Sequence, residues 1–101
     1  MRANVDSRMW KYIEEKYPIS LNMATRLRAG QVITSCVVTV TDQADNDVTS
    51  DIVESYGVST SPSVVISWKK NGGIKGQCYY VLVEGKTAED DVAYVIELEI
   101  R

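Results

Sequence analysis

Four oxygen-bearing side chains at every second position, Asp45, Asp47, Thr49 and Asp51, come nearest to a metal-binding motif in this 101-residue chain. Alternating ligands of this kind open a calcium loop. Such a loop also needs a glycine at its sixth position and a bidentate glutamate at its twelfth; counted from Asp45, those positions hold Ser50 and Tyr56. The expectation is therefore a solvated acidic loop. Cys36 and Cys78, 42 positions apart, are too few for a disulfide scaffold and too distant for a redox or zinc pair. With Trp68 between them they follow the Cys-Trp-Cys order of antibody domains, but Trp68 falls just ten positions before Cys78 and so belongs to the strand preceding it. If Tyr79, Val81 and Val83 face a core, Cys78 faces outward. Free thiols are expected. Histidine is absent, which excludes His-dependent triads and His-containing zinc sites. With no nucleophile and base in a credible motif, the chain is expected to be no enzyme and to hold no cofactor and no metal.

Other clusters point to binding rather than reaction. Lys69, Lys70, Lys75 and Lys86 flank the turn Asn71-Gly72-Gly73 and could make a basic tip, but without the interleaved exposed aromatics of a nucleic-acid surface a soluble hairpin end is expected. The run from Asn71 to Gly76 lacks the Gly-Lys-Ser/Thr of a phosphate loop. Tyr56, Trp68, Tyr79 and Tyr80 would serve a carbohydrate- or cell-surface-binding module if at least two of their rings were exposed and coplanar. Net charge is −3 but unevenly placed: residues 1–28 carry +3, 42–54 carry −5, 69–86 carry +3 and 87–101 carry −4. No global positive field exists to hold a nucleic acid, and no apolar run approaches the roughly 18 residues of a membrane span. Opposite-sign blocks of this kind can set register between neighbouring proteins.

The elements that must carry these residues are mostly strands. Val32–Val40 is β-branched and bounded by Gly30 and Asp42, with Val32, Cys36, Val38 and Val40 on one face. Ser63–Trp68 alternates Val64, Ile66 and Trp68 against Val65 and Ser67, and the Asn71-Gly72-Gly73 turn predicts a hairpin with Gln77–Val83. The last segment sets Tyr94, Ile96, Leu98 and Ile100 against Glu97 and Glu99. Tyr17–Leu21 fits an edge strand with Pro18 near its start, and Asp51–Tyr56 is expected to be extended. Six or seven short strands in about 100 residues predict an all-β fold, an antiparallel immunoglobulin-like β-sandwich with a short N-terminal arm or helical turn.

The division expected is an arm over residues 1–16 and one sandwich domain over 17–101. Within the arm, Trp10, Ile13 and Tyr17 lie at helical spacing behind Ser7, which suits one or two helical turns, the alternative being an extended arm that fastens onto a neighbour. Its apolar residues would be costly free in solution. Met9, Trp10, Tyr12 and Ile13, with the nearby Arg26 and Arg28, are the candidate partner-binding residues.

Three stretches and the final strand resemble a family of small proteins encoded in the structural-gene modules of tailed bacteriophages and prophages. They are Tyr17-Pro18-Ile19-Ser20-Leu21, the run from Leu27 to Ser35 (LRAGQVITS), and Asn71–Gly76 (NGGIKG) with Tyr79 and Val81, followed by the strand ending at Ile100. The family's tryptophan before Leu27 is Arg26 here, and its aspartate after Gly30 is Gln31. The resemblance implies a virion component with an immunoglobulin-like sandwich: an adaptor in the tail or neck linking fibres or neighbouring tail and head proteins, or alternatively a capsid decoration protein. It also implies phage structural proteins as partners, several copies in a symmetric assembly and synthesis in a host bacterial cytoplasm, while charge and hydropathy lead to the expectation of no nucleic-acid and no membrane partner.

Overall fold

A computed structural model describes residues 5–101. Seven strands stand among them: β1 (Ser7–Lys11), β2 (Pro18–Asn22), β3 (Ser35–Thr41), β4 (Val53–Val58), β5 (Ser63–Trp68), β6 (Cys78–Lys86) and β7 (Asp91–Ile100). A 3-10 turn at Ala24–Arg26 and a one-turn helix α1 at Thr49–Ile52 complete the elements. The strands form a four-stranded sheet in the order β1-β7-β6-β3 and a three-stranded sheet in the order β2-β5-β4. The fold is thus an all-β sandwich.

Period-2 alternation decides what each sheet buries. Val38 and Val40 of β3, Tyr79, Val81 and Val83 of β6, and Ile96, Leu98 and Ile100 of β7 point into the gap. They meet Val64, Ile66 and Trp68 of β5, with Ile52 and Val53 at one end and Met23 and Ile33 completing the cluster. These parities are those the sequence predicts. No described helix is long and apolar enough to cross a membrane.

Three expectations change. First, β1 runs parallel to β7, Ser7 opposite Ile96 and Lys11 opposite Ile100, so residues 7–11 are a strand and not a helical turn. The apolar spacing that suited a helix instead splits between the faces, with Met9 and Ile13 against the core and Trp10 and Tyr12 outside. Residues 7–11 of the expected arm lie within the four-stranded sheet, and among the described residues this one pair is parallel in an otherwise antiparallel sandwich. Residues 1–4 of the expected arm lie outside the described residues.

Second, β5 and β6 do not form a hairpin; they belong to different sheets. The Asn71-Gly72-Gly73 turn carries the chain across the end of the sandwich. There Lys69 N–H donates to the Ile52 carbonyl and Asn71 N–H to the Ile13 carbonyl. A side chain at Gly72 would overlap the Asp51 carbonyl oxygen, and Gly73, at φ +83°, would set a Cβ 2.8 Å from Ile52 Cδ1. The glycines are needed for this close approach as much as for the turn.

Third, β3 starts at Ser35, so Val32 is not on its face and stands 56% exposed. The inward residue of that approach is Ile33, whose N–H donates to Ser61 Oγ.

Candidate functional site

The acidic loop uses its oxygens on itself. Asp42 accepts the backbone N–H groups of Ala44 and Asn46 and the Asn46 side-chain amide. Asp47 accepts the Thr49 N–H and, at 2.6 Å, its hydroxyl. Thr49 Oγ1 in turn accepts Val40 N–H at 2.8 Å, which ties the loop to the outer edge of β3. Bonds from Asn46 hold the Asp42 carboxyl below its ordinary range, and those from Thr49 do the same for Asp47. Among the described residues no group of His, Cys, Asp and Glu is arranged to hold a metal ion.

An open depression of about 570 Å³ lies beside this loop, lined among others by Asp42, Asp51, Lys69, Lys70, Cys78 and Tyr79. Its polar groups are partly engaged with the fold: Lys69 Nζ donates to the Ser50 carbonyl and Tyr79 Oη accepts the Ile74 N–H. Cys36 and Cys78 are free thiols. Cys36 stands opposite Gly85 on β6, seven positions along from Cys78, or roughly 23 Å at strand rise. That is far beyond disulfide reach. Burial pushes both thiols up, with Glu97 and Glu99 adding to the effect at Cys78.

Of the four rings considered as a carbohydrate platform, Trp68 and Tyr79 are buried in the core, while Tyr56 is exposed on β4 and Tyr80 half-buried on β6. Two of the four rings thus fill the sandwich, and the other two stand on strands of different sheets.

The predicted partner-binding residues divide into three places. Trp10 and Tyr12 form one patch, 42% and 53% exposed, their ring centroids 5.0 Å apart and edge to face. Met9 and Ile13 are not in that patch; they are turned inward and pack on the core. Arg26 pairs with Asp6 and lies over the Tyr94 ring, and Arg28 pairs with Asp90 at 2.7 Å. Arg26 thus holds the segment after β2 against Tyr94 of β7, and Arg28 joins that segment to the β6–β7 connection.

Two residues missed by sequence reasoning complete the patch. The Arg101 guanidinium sits 4.3 Å from the centre of the Trp10 ring and also bonds Glu99, and Arg8 pairs with Glu97 at 3.2 Å. For Arg8 the signal was the outward parity of Glu97, which calls for a cation on a neighbouring strand. The outer face at the β1 edge is thus an exposed tryptophan and tyrosine among paired charges.

Behind it, Lys11 is only 1% exposed. Its Nζ donates to the Tyr12 carbonyl at 3.0 Å and the Ile13 carbonyl at 3.4 Å. Burial lowers its pKa, and Glu15 and Glu14 partly oppose that.

No protein-family model matches this chain, and no curated protein matches it.

Proposed function

We propose that the protein is a non-enzymatic structural component of a tailed-phage particle, an adaptor whose outer aromatic face at β1 docks a neighbouring tail, neck or fibre protein. The observation that carries this reading is the Trp10–Tyr12 patch, stacked with Arg101 on the outermost strand of the four-stranded sheet. A small domain gains nothing in its own core from two large rings left in water, whereas rigid aromatic side chains flanked by arginine are what interfaces use as anchors. The order of turn motifs shared with the phage family supports the same reading and brings with it the immunoglobulin-like connectivity and the virion as location. Repetition in a symmetric particle would multiply a contact of this modest size into a stable attachment.

Mass spectrometry of purified particles tests the proposal. The expected result is the protein present in multiple copies, with a Trp10→Ser/Tyr12→Ser double variant folded by circular dichroism but depleted from particles. Absence of the wild-type chain from particles refutes the reading. Copy number and position in particle images separate a tail or neck adaptor from a capsid decoration protein.

A further inference from the structure

The backbone of β1 has a second side. The Lys11 carbonyl accepts the Arg101 N–H and Ile13 N–H donates to the Arg101 carbonyl. In a parallel ladder the residues bonded to the neighbour alternate, so Ser7, Met9 and Lys11 direct their peptide groups at β7. Arg8 and Trp10 therefore direct their N–H and C=O groups away from the sheet. Among the described residues no strand lies beyond β1 in the sheet order. The next outward N–H, that of Tyr12, is closed off by Glu15 Oε1 at 2.7 Å.

We infer that β1 pairs antiparallel with β1 of a second copy of this chain, about a two-fold axis at Met9. Three symmetric registers can be compared. An axis at Arg8 sets like charges opposite each other, which is unfavourable. An axis at Trp10 brings Arg8 against Tyr12, whose N–H is already engaged. An axis at Met9 sets Arg8 opposite Trp10 of the second copy and Trp10 opposite its Arg8. All four outward N–H groups then meet four outward carbonyls, giving four inter-copy hydrogen bonds.

The side chains agree with that register. On the outer face each Arg8 guanidinium comes beside a tryptophan of the other copy, a pairing this chain already uses between Arg101 and Trp10. On the inner face Met9 meets Met9 of the second copy at the closer, non-hydrogen-bonded spacing of about 4.5 Å between Cα atoms, and Lys11 stands opposite the small Ser7. The two four-stranded sheets become one of eight strands. This inference is independent of the phage reading, since it needs only the edge and its register.

Sedimentation equilibrium on the full chain tests it. A species of twice the 11.3 kDa chain mass is expected to form with rising concentration. An interface this small belongs to the weak class. Arg8→Pro removes one outward N–H from each copy, a change an edge strand tolerates, and should raise the dissociation constant by about tenfold or more while circular dichroism is unchanged. In a Cys36→Ala/Cys78→Ser background, Met9→Cys should form an inter-copy disulfide under mild oxidation, because opposed Cα atoms at about 4.5 Å fall within disulfide range. A chain that stays monomeric up to about 1 mM overturns the inference. So does a dimer whose dissociation constant is unmoved by Arg8→Pro, or one in which the Met9→Cys variant does not cross-link.

Discussion

Replacing Lys11 with methionine should stabilise the protein, although the lysine makes two hydrogen bonds. The Lys11 side chain is 1% exposed, its ammonium group hydrogen-bonds only carbonyls, and the carboxylates of Glu15 and Glu14 offset just part of the burial. The effective cost of desolvating such an ion is several kcal/mol. The bond to Tyr12 at 3.0 Å returns about 1.5–3 kcal/mol, and that to Ile13, at 3.4 Å, returns less. Methionine fills most of the same volume, a swap that costs under about 1.5 kcal/mol. The balance favours Lys11→Met by about 1 kcal/mol, equivalent to a rise in Tm of about 4–8 °C for a chain of this size.

The sign of the pH dependence provides a second readout. Because the folded-state pKa of Lys11 lies below its ordinary 10.5, the unfolded chain binds more protons between those two values. Wild-type stability therefore carries a contribution that rises with pH through that window, and the variant lacks it. Urea unfolding of both proteins at neutral pH and again just below pH 10 measures the difference, with Lys11→Ala as the control that loses the packing of the stem as well. A methionine variant less stable than wild type by more than about 1 kcal/mol, with no change in the pH slope, would show that the hydrogen bonds outweigh desolvation and refute the argument.

Other consequences follow from single contacts. Trp68→Ala empties the largest fully buried side chain and should cost about 3–5 kcal/mol in urea unfolding. Thr49→Val leaves the buried Val40 N–H without its acceptor and should cost about 1–3 kcal/mol, with hydrogen exchange at Val40 accelerating before global unfolding. Asp42 and Asp47 both have folded-state values below their ordinary 3.8, so their contribution is present above that pH and is lost as pH falls through the lowered values; acid titration followed by NMR of the 42–49 loop should show it loosening below about pH 4, and Asp47→Asn should remove part of that dependence. Oxidation of dilute wild-type protein followed by mass spectrometry should find no internal disulfide between Cys36 and Cys78.

Where one face of a strand is wet and the other buried, alternation gave the answer: Val64, Ile66 and Trp68 on β5 and Ile96, Leu98 and Ile100 on β7 point where their spacing says. The failures have a common cause. In β1 the binary pattern is inverted at the decisive positions, with tryptophan outside and lysine inside, so five residues could not announce a strand and a helical spacing fitted as well. The Asn71-Gly72-Gly73 turn is legible as a turn, but nothing local states whether the next strand returns to the same sheet. That depends on Asp51, Ile52 and Ile13, distant in sequence. Arg101 completes the aromatic patch through a parallel neighbour that no short-range signal announces.

The parallel alignment of β1 with β7 also fixes how the molecule bears load. Asp6 enters the pair at the Val95 end and Arg101 leaves it at the Lys11 end. Tension applied through these two residues slides the strands lengthwise past each other, so their hydrogen bonds are strained together and not opened one by one as in a peeled hairpin. The core beneath is reached only after that ladder gives way, which makes the outermost strand a mechanical clamp on the rest of the sandwich.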